Sequence, residues 1–358
     1  MTESSIPLRG RRQAGLTLVE FMVAIVIGML MVAAMAALIA NQSTTRGEVD
    51  RSGKLIENGR YAIRMLAEDV QMAGYWGELS TAPDVPAALP DPCSTAVANL
   101  ETAMGLAVQG YDAPATLPPE VAACVKNHLP GTDVLVVRKA DPDTSAIETA
   151  GAMDLTKLKP GQVYLQTGLD TTSNLTHVLA AADPATDAAT FVLKRKVATS
   201  LAALRKYTVH IYYISKCSVE ESGSCDSADG GTPIPTLKRV ELTVSGGAAS
   251  MTCGSCTITI AEGIENMQID YGTDTSGDGQ PDGTDSAGST FTKDNWADVM
   301  SLKIHLLARA TERTPAHQDT KSYVLGVAGN VAAANDAYRR HVFVQSVRLV
   351  NPSARRPL

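Results

Sequence analysis

A glycine stands five positions ahead of a lone glutamate in Gly15-Leu16-Thr17-Leu18-Val19-Glu20, and twenty residues without a charge follow, Phe21 to Ala40. Arg9, Arg11 and Arg12 lie just before it. Cleavage after Gly15 would create a positive α-amino group on Leu16, one helical turn from the Glu20 carboxylate. A carboxylate at the edge of hydrocarbon is costly unless something compensates it. The new amino terminus of a packed neighbour would compensate it. A secretory signal carries its small-residue cleavage site beyond the apolar run, where this chain reads Leu38-Ile39-Ala40-Asn41-Gln42. A bare membrane anchor accounts for the apolar run and leaves Glu20 unexplained.

A second cluster carries oxygen. Asp274, Ser276, Asp278, Asp282 and Asp285 fall at positions one, three, five, nine and twelve of a loop, with Gly279 at six and the Gln280 carbonyl at seven. That is the ligand order of a calcium loop. Position twelve is aspartate rather than a bidentate glutamate, and no helical pattern flanks the loop. A solvated Asp/Gly turn between strands therefore stands as an equal alternative. The six cysteines, Cys93, Cys124, Cys217, Cys225, Cys253 and Cys256, all lie beyond the apolar run. Their even number predicts disulfides in an oxidising compartment. Many connectivities are open; the expected one joins sequence neighbours, 93–124, 217–225 and 253–256. Cys253-Gly254-Ser255-Cys256 has thiol-oxidoreductase spacing, but its strand-like flanks favour a structural staple. The six histidines are scattered, and no nucleophile elbow or phosphate loop occurs, so no enzyme is expected.

Net charge is −7. Cutting after Gly15 removes Glu3, Arg9, Arg11 and Arg12, a net +2, and takes −7 to −9. An acidic chain with 4% aromatic residues lacks both a phosphate-binding face and a base-stacking platform, so nucleic acid is not an expected partner.

These groups need elements to hold them. Twenty residues at helical rise cover about 30 Å, enough for a bilayer core. Beyond Asn41 the helical period continues: Val49, Ser52, Ile56, Gly59, Ile63, Leu66, Val70 and Ala73 recur at steps of three and four. The opposite face carries Glu48, Asp50, Arg51, Lys54, Glu57, Arg60, Arg64, Glu68 and Asp69. The spacing predicts one helix from Leu16 to Ala73, about 90 Å long at 1.5 Å per residue, stopped by Gly74. Residues 77–130 are Pro-, Ala- and Asp-rich and read as an irregular connection. Strands are predicted at 132–138, 162–166, 190–193, 207–214, 237–244, 257–260, 264–271, 298–309 and 341–350. The division is a leader (1–15), a transmembrane half-helix (16–40), an amphipathic half (41–76), a connection with first strands (77–205) and a β-sheet domain (206–358). The fold class is α+β, a long N-terminal helix packed on a C-terminal antiparallel sheet.

The Gly15-to-Glu20 run resembles the prepilin-peptidase site of type IV pilins and type II secretion pseudopilins: a basic leader, Gly, an apolar residue, and Glu at the fifth mature position. Leu16 stands where major pilins usually carry phenylalanine. Gly28 and Gly47 are the soft points in a helix without the membrane-half proline of major pilins. Asn58-Gly59-Arg60-Tyr61-Ala62, Ala73-Gly74-Tyr75-Trp76, and Tyr338-Arg339-Arg340 with the strand after it resemble PilW-type minor pilins. The resemblance implies a type IV pilin-like fold, cleavage between Gly15 and Leu16 by prepilin peptidase, and N-methylation of Leu16. It implies a single-pass inner-membrane protein with its C-terminal domain in the periplasm, assembled through Glu20 into a pilus at the cell surface. Implied partners are other minor pilins, the major pilin, the inner-membrane assembly platform and a tip adhesin, with roles in priming pilus assembly, adhesion and twitching motility. No cofactor is required; calcium is the one candidate, since related pseudopilins bind it in a loop near their C-terminus. A minor pseudopilin of type II secretion and an uncleaved single-pass periplasmic binding protein are the alternatives.

Overall fold

The structure is a computed structural model that describes residues 15, 17–79, 81–169, 175–196, 200–221, 223–283 and 285–356. The chain divides into two compact units, 1–51 and 52–358. The helix α1 runs Leu18–Gln71. In the first unit its side chains from Phe21 to Ile39 are exposed and apolar.

In the second unit the rest of α1 buries Leu55, Ala62, Ile63, Leu66 and Val70, with Ala73 just beyond. Gly59, Ile63, Leu66, Val70 and Ala73 are the part of the expected stripe that is buried; Ser52 and Ile56 are half-buried, Val49 is exposed, and Leu55 and Ala62 were not expected in it. Each fully buried aliphatic side chain is worth about 1.5–3 kcal/mol, and this face holds the helix down. The helix stops two residues before the expected Ala73. Gly74 takes φ 68°, a left-handed conformation glycine adopts without penalty, and its N–H donates to the Arg138 carbonyl at 2.9 Å.

A seven-stranded antiparallel sheet contains β1 (Val108–Tyr111), β2 (Val134–Ala140), β3 (Val163–Thr167), β4 (His177–Ala181), β5 (Leu204–Ser215), β6 (Thr236–Glu241) and β7 (Thr257–Glu262). Strand β5 is its spine: Tyr207 to Tyr212 pair with β2 and His210 to Ser215 pair with β6. Side chains alternate faces along a strand, and here both faces are covered. Leu135, Val137, Tyr212 and Ile214 join the core under α1. Val134, Val136, Val209, Ile211 and Tyr213 face a second core with Trp76, Leu100, Met104 and Val121. A three-stranded antiparallel sheet, β8 (Ile264–Thr273), β9 (Val299–Arg309) and β10 (Arg340–Arg348), closes the first core from the other side. Gly59 sits where a Cβ would run into the Phe343 ring of β10. Gly59→Ala is expected to destabilise by about 1–3 kcal/mol, read from a denaturation midpoint; an unchanged midpoint would show that the ring yields freely.

Residues 77–130 are more ordered than expected. They hold the helix α2 (Val97–Ala103) and β1, and they cover the second face of the large sheet. The strand expected at 190–193 is not one: Asp187–Thr190 is a helical turn and Phe191 its C-cap. Thr190 and Val192 suit a strand by type, but the buried Phe191 belongs to a small separate cluster with Leu204 and Tyr164. Strands β1 and β4 were absent from the sequence pattern.

The six cysteines form three bonds, Cys93–Cys124, Cys217–Cys225 and Cys253–Cys256. The last closes a single 3₁₀ turn ahead of β7.

Two buried carboxylates set opposite pH dependences. Asp133 accepts the amides of Ala113 and Ile269 at 2.8 and 2.7 Å. Burial pushes its pKa up to about 8 against those two donors, with Asp112 and Asp270 adding to the rise. Its folded value exceeds its unfolded one, so its contribution is full below the ordinary carboxylate range and is lost as pH rises through about 8. Asp69 is the reverse. Burial alone would raise it, but His210 and Lys139 outweigh burial and hold it far below the usual range. Its contribution is present above the ordinary value near 4 and is lost as pH falls below it. Asp133 is therefore expected to make the protein more stable at pH 5 than at pH 8, by at most about 1.4 kcal/mol per pH unit, read as a higher melting midpoint at pH 5 and a smaller difference in Asp133→Asn. A midpoint that rises from pH 5 to pH 8 would contradict this.

Candidate functional site: the capped start of the N-terminal helix

The apolar run forms a helix because nothing in it breaks one: Leu, Met, Ala, Val and Ile dominate, and no proline occurs between Pro7 and Pro83. By length and composition it can cross a membrane, with a mean hydropathy of 2.8 over its most apolar window and none of that window buried. Its start is closed by a reciprocal pair. The Glu20 amide donates to Thr17 Oγ1 at 3.3 Å, and Glu20 Oε2 accepts the Thr17 amide at 3.0 Å and the Thr17 hydroxyl at 3.0 Å. This is a capping box, in which N-cap and N3 side chains satisfy each other's orphan amides.

The box changes the account of Glu20. The carboxylate has a partner in its own chain, so an isolated subunit does not leave it bare. Both donors use Oε2; among the described residues Oε1 takes none. One oxygen therefore ties the carboxylate to Thr17, and the other is left without a donor among the described residues. The Thr-x-x-Glu spacing of the box was visible in the sequence, hidden behind the more conspicuous Gly-to-Glu spacing. Gly15 is exposed. Leu16, Arg9, Arg11 and Arg12 lie outside the described residues.

The Asp/Gly loop closes on itself. Asp274 accepts the amides of Gly277 at 2.6 Å and Gly279 at 2.8 Å and the Ser276 hydroxyl at 3.3 Å. Asp282 Oδ2 accepts the amides of Thr275 and Ser276 at 2.9 and 2.7 Å. Asp278 accepts the Gln280 amide at 2.8 Å, while Asp285 lines a separate depression with Asp270, Lys303 and His305. Among the described residues no group of three or more His, Cys, Asp or Glu stands together to hold a metal. Calcium in this loop is a proposal that requires Asp274 and Asp282 to release their amides. It predicts a melting midpoint several degrees higher in calcium than in chelator; equal midpoints remove it.

Sequence reasoning missed one polar cluster altogether. Asp69, assigned to the solvated face of α1, is buried. Its carboxylate meets Lys139 Nζ at 2.5 Å, His210 Nδ1 at 2.7 Å and the Tyr212 hydroxyl at 2.9 Å. Arg239 donates to Tyr212 Oη at 3.2 Å and pairs with Glu241. The network ties the last turn of α1 to β2, β5 and β6. No local signal marks it, since its members are far apart in sequence. Arg340 is a second clamp: it meets Glu265 at 2.5 Å, Asp336 at 2.7 Å and Asp319 at 3.0 Å, pinning the connection between β9 and β10.

Comparison with known proteins gives two family matches. Residues 211–351 match the family described as type IV pilus-assembly protein W, PilW. Residues 10–36 match the prokaryotic N-terminal methylation motif. Among solved structures the type IV-like pilin TTHA1219 from Thermus thermophilus is similar, at 14% identity and a TM-score of 0.20, over 41% of this chain and 78% of that one. No curated protein matches.

Proposed function

We propose, for a chain that these two family matches support as a type IV pilus protein of the PilW family, that it is a minor pilin which assembles with other minor pilins to prime the pilus and sits at or near its tip. The observation that carries the proposal is the Glu20 carboxylate, fixed by Thr17 through Oε2 with no donor on Oε1 among the described residues. A carboxylate so held at the start of a membrane-length helix suits a neighbour's α-amino group. In this reading prepilin peptidase cuts between Gly15 and Leu16, and Leu16 is N-methylated. The helix then waits in the inner membrane with the disulfide-bearing unit in the periplasm, where an oxidising environment keeps such bonds. The assembly platform extracts it into the fibre beside other minor pilins and the major pilin. A tip adhesin, adhesion and twitching motility belong to the same proposal.

Intact-mass and N-terminal analysis of the purified chain tests it. A mature chain starting at methylated Leu16 is expected. A chain that keeps residues 1–15 in cells with active prepilin peptidase defeats the proposal and favours an uncleaved single-pass binding protein. Co-purification with type II secretion pseudopilins rather than pilus subunits would move the same mechanism to that machine.

A further inference from the structure

At the foot of α1, a cavity of about 270 Å³ lies among Trp76, Met104, Trp296, Met300 and Arg355. Five stretches build it: the turn after α1, the segment 82–85, the end of α2, the helical turn Lys293–Ala297, and the C-terminal helix Val350–Ala354. The segment is pressed hard onto Gly105, whose absent Cβ would strike the Asp84 carbonyl. Apolar walls with a few fixed polar groups are the usual make-up of a ligand pocket.

Three ionic side chains line the cavity, Asp298, Arg355 and Arg356. Arg356 pairs with Asp298 and lies 3.9 Å from Asp274, so it is neutralised. Arg355 is not. Its Nε donates to the Leu79 carbonyl at 3.2 Å and its Nη1 to the Gly74 carbonyl at 2.7 Å. Among the described residues Nη2 has no acceptor and no carboxylate pairs with the group. Burial lowers its pKa and no neighbouring charge opposes that effect. A half-buried guanidinium without a counter-ion is costly, and the two backbone carbonyls hold it in place at that cost.

We propose that this cavity binds a small apolar carboxylate, with its hydrocarbon part between Trp76 and Trp296 and its carboxylate on Arg355. Carboxylate is the natural counter-ion for a guanidinium edge. The acid could be a free aromatic or branched acid or the apolar C-terminal residue of another polypeptide; both present the same chemistry.

Trp76 and Trp296 are the only tryptophans in the chain, so intrinsic fluorescence reports occupancy directly. The full chain in a non-ionic detergent is titrated with phenylacetate, phenylacetamide, acetyl-alanyl-leucine and its amide, against detergent blanks. A saturable change is expected with at least one acid, with its amide at least tenfold weaker. A response to phenylacetate alone points to a free acid, and to the dipeptide alone to a polypeptide end. Arg355→Gln is expected to abolish the preference for acid over amide, and Arg355→Lys to restore part of it. No saturable change up to 10 mM, or equal affinities for acid and amide in the unaltered chain, overturns the proposal without recourse to any variant. Pro357 and Leu358 lie outside the described residues. Binding seen only in a chain shortened at Arg356 would give the cavity to the chain's own end and overturn it as well.

Discussion

Asp69→Ala is expected to destabilise the protein by about 3–5 kcal/mol, the usual cost of removing one partner from a buried charged cluster. The carboxylate is buried, and its loss strands Lys139, His210 and the Tyr212 hydroxyl in low dielectric. A domain of this size has about 5–15 kcal/mol to lose, so the variant gives up about a fifth of its stability or more. The helix end should detach first, because no other buried ion pair joins α1 to the sheet among the described residues. Hydrogen exchange would then show amides of residues 60–71 opening ahead of those in β5. Asp69→Asn keeps an acceptor for Tyr212 and should lose less than Asp69→Ala. A denaturation midpoint for Asp69→Ala within about 1 kcal/mol of the unaltered chain would mean that water or rearranged partners replace the carboxylate.

Glu20→Ala is expected to lower recovery in sheared pili by tenfold or more, with cleavage and membrane insertion intact. Two contributions must be separated. Loss of the capping box costs about 1 kcal/mol of helix stability. Loss of the free oxygen leaves a neighbour's amino group unpaired beside hydrocarbon, which costs several kcal/mol; each 1.4 kcal/mol is about tenfold in equilibrium. Thr17→Ala removes the box and keeps the charge, so it should reduce recovery far less. Equal losses in the two variants would reduce Glu20 to a helix cap. Unchanged recovery of Glu20→Ala would remove the intersubunit contact from the proposal.

The two halves of α1 were legible for different reasons. The first is uniformly apolar, and the second shows a buried stripe at steps of three and four, broken by Gly59 where Phe343 needs the room. The long strands β5, β9 and β10 were legible because apolar residues recur through them, β-branched or aromatic in β5 and β10 and largely Leu, Ile and Met in β9. Strand β1, with Gly110 in its middle, and β4, with two alanines at its end, offered no such run. In 77–130, proline and alanine masked a layer whose order comes from distant contacts, the Tyr207 hydroxyl donating to the Leu100 carbonyl among them. Asp69 was hidden by its type: a carboxylate beside Glu68 on a helix reads as solvated, and its partners come from strands that begin some 65 residues later. The same limit applies to Arg355, whose consequence depends on a cavity assembled from five segments.

The cysteine bonds span 31, 8 and 3 residues, so none of them waits for a remote part of the chain. On the proposed periplasmic placement of this unit, each can close as soon as its own stretch has crossed the membrane, before the strands that follow have been delivered. Oxidation can then proceed from the first pair to the last in the order of export, with no shuffling enzyme needed to undo wrong partners. Pulse-chase trapping of free thiols should show Cys93 and Cys124 protected while Cys253 and Cys256 are still reactive.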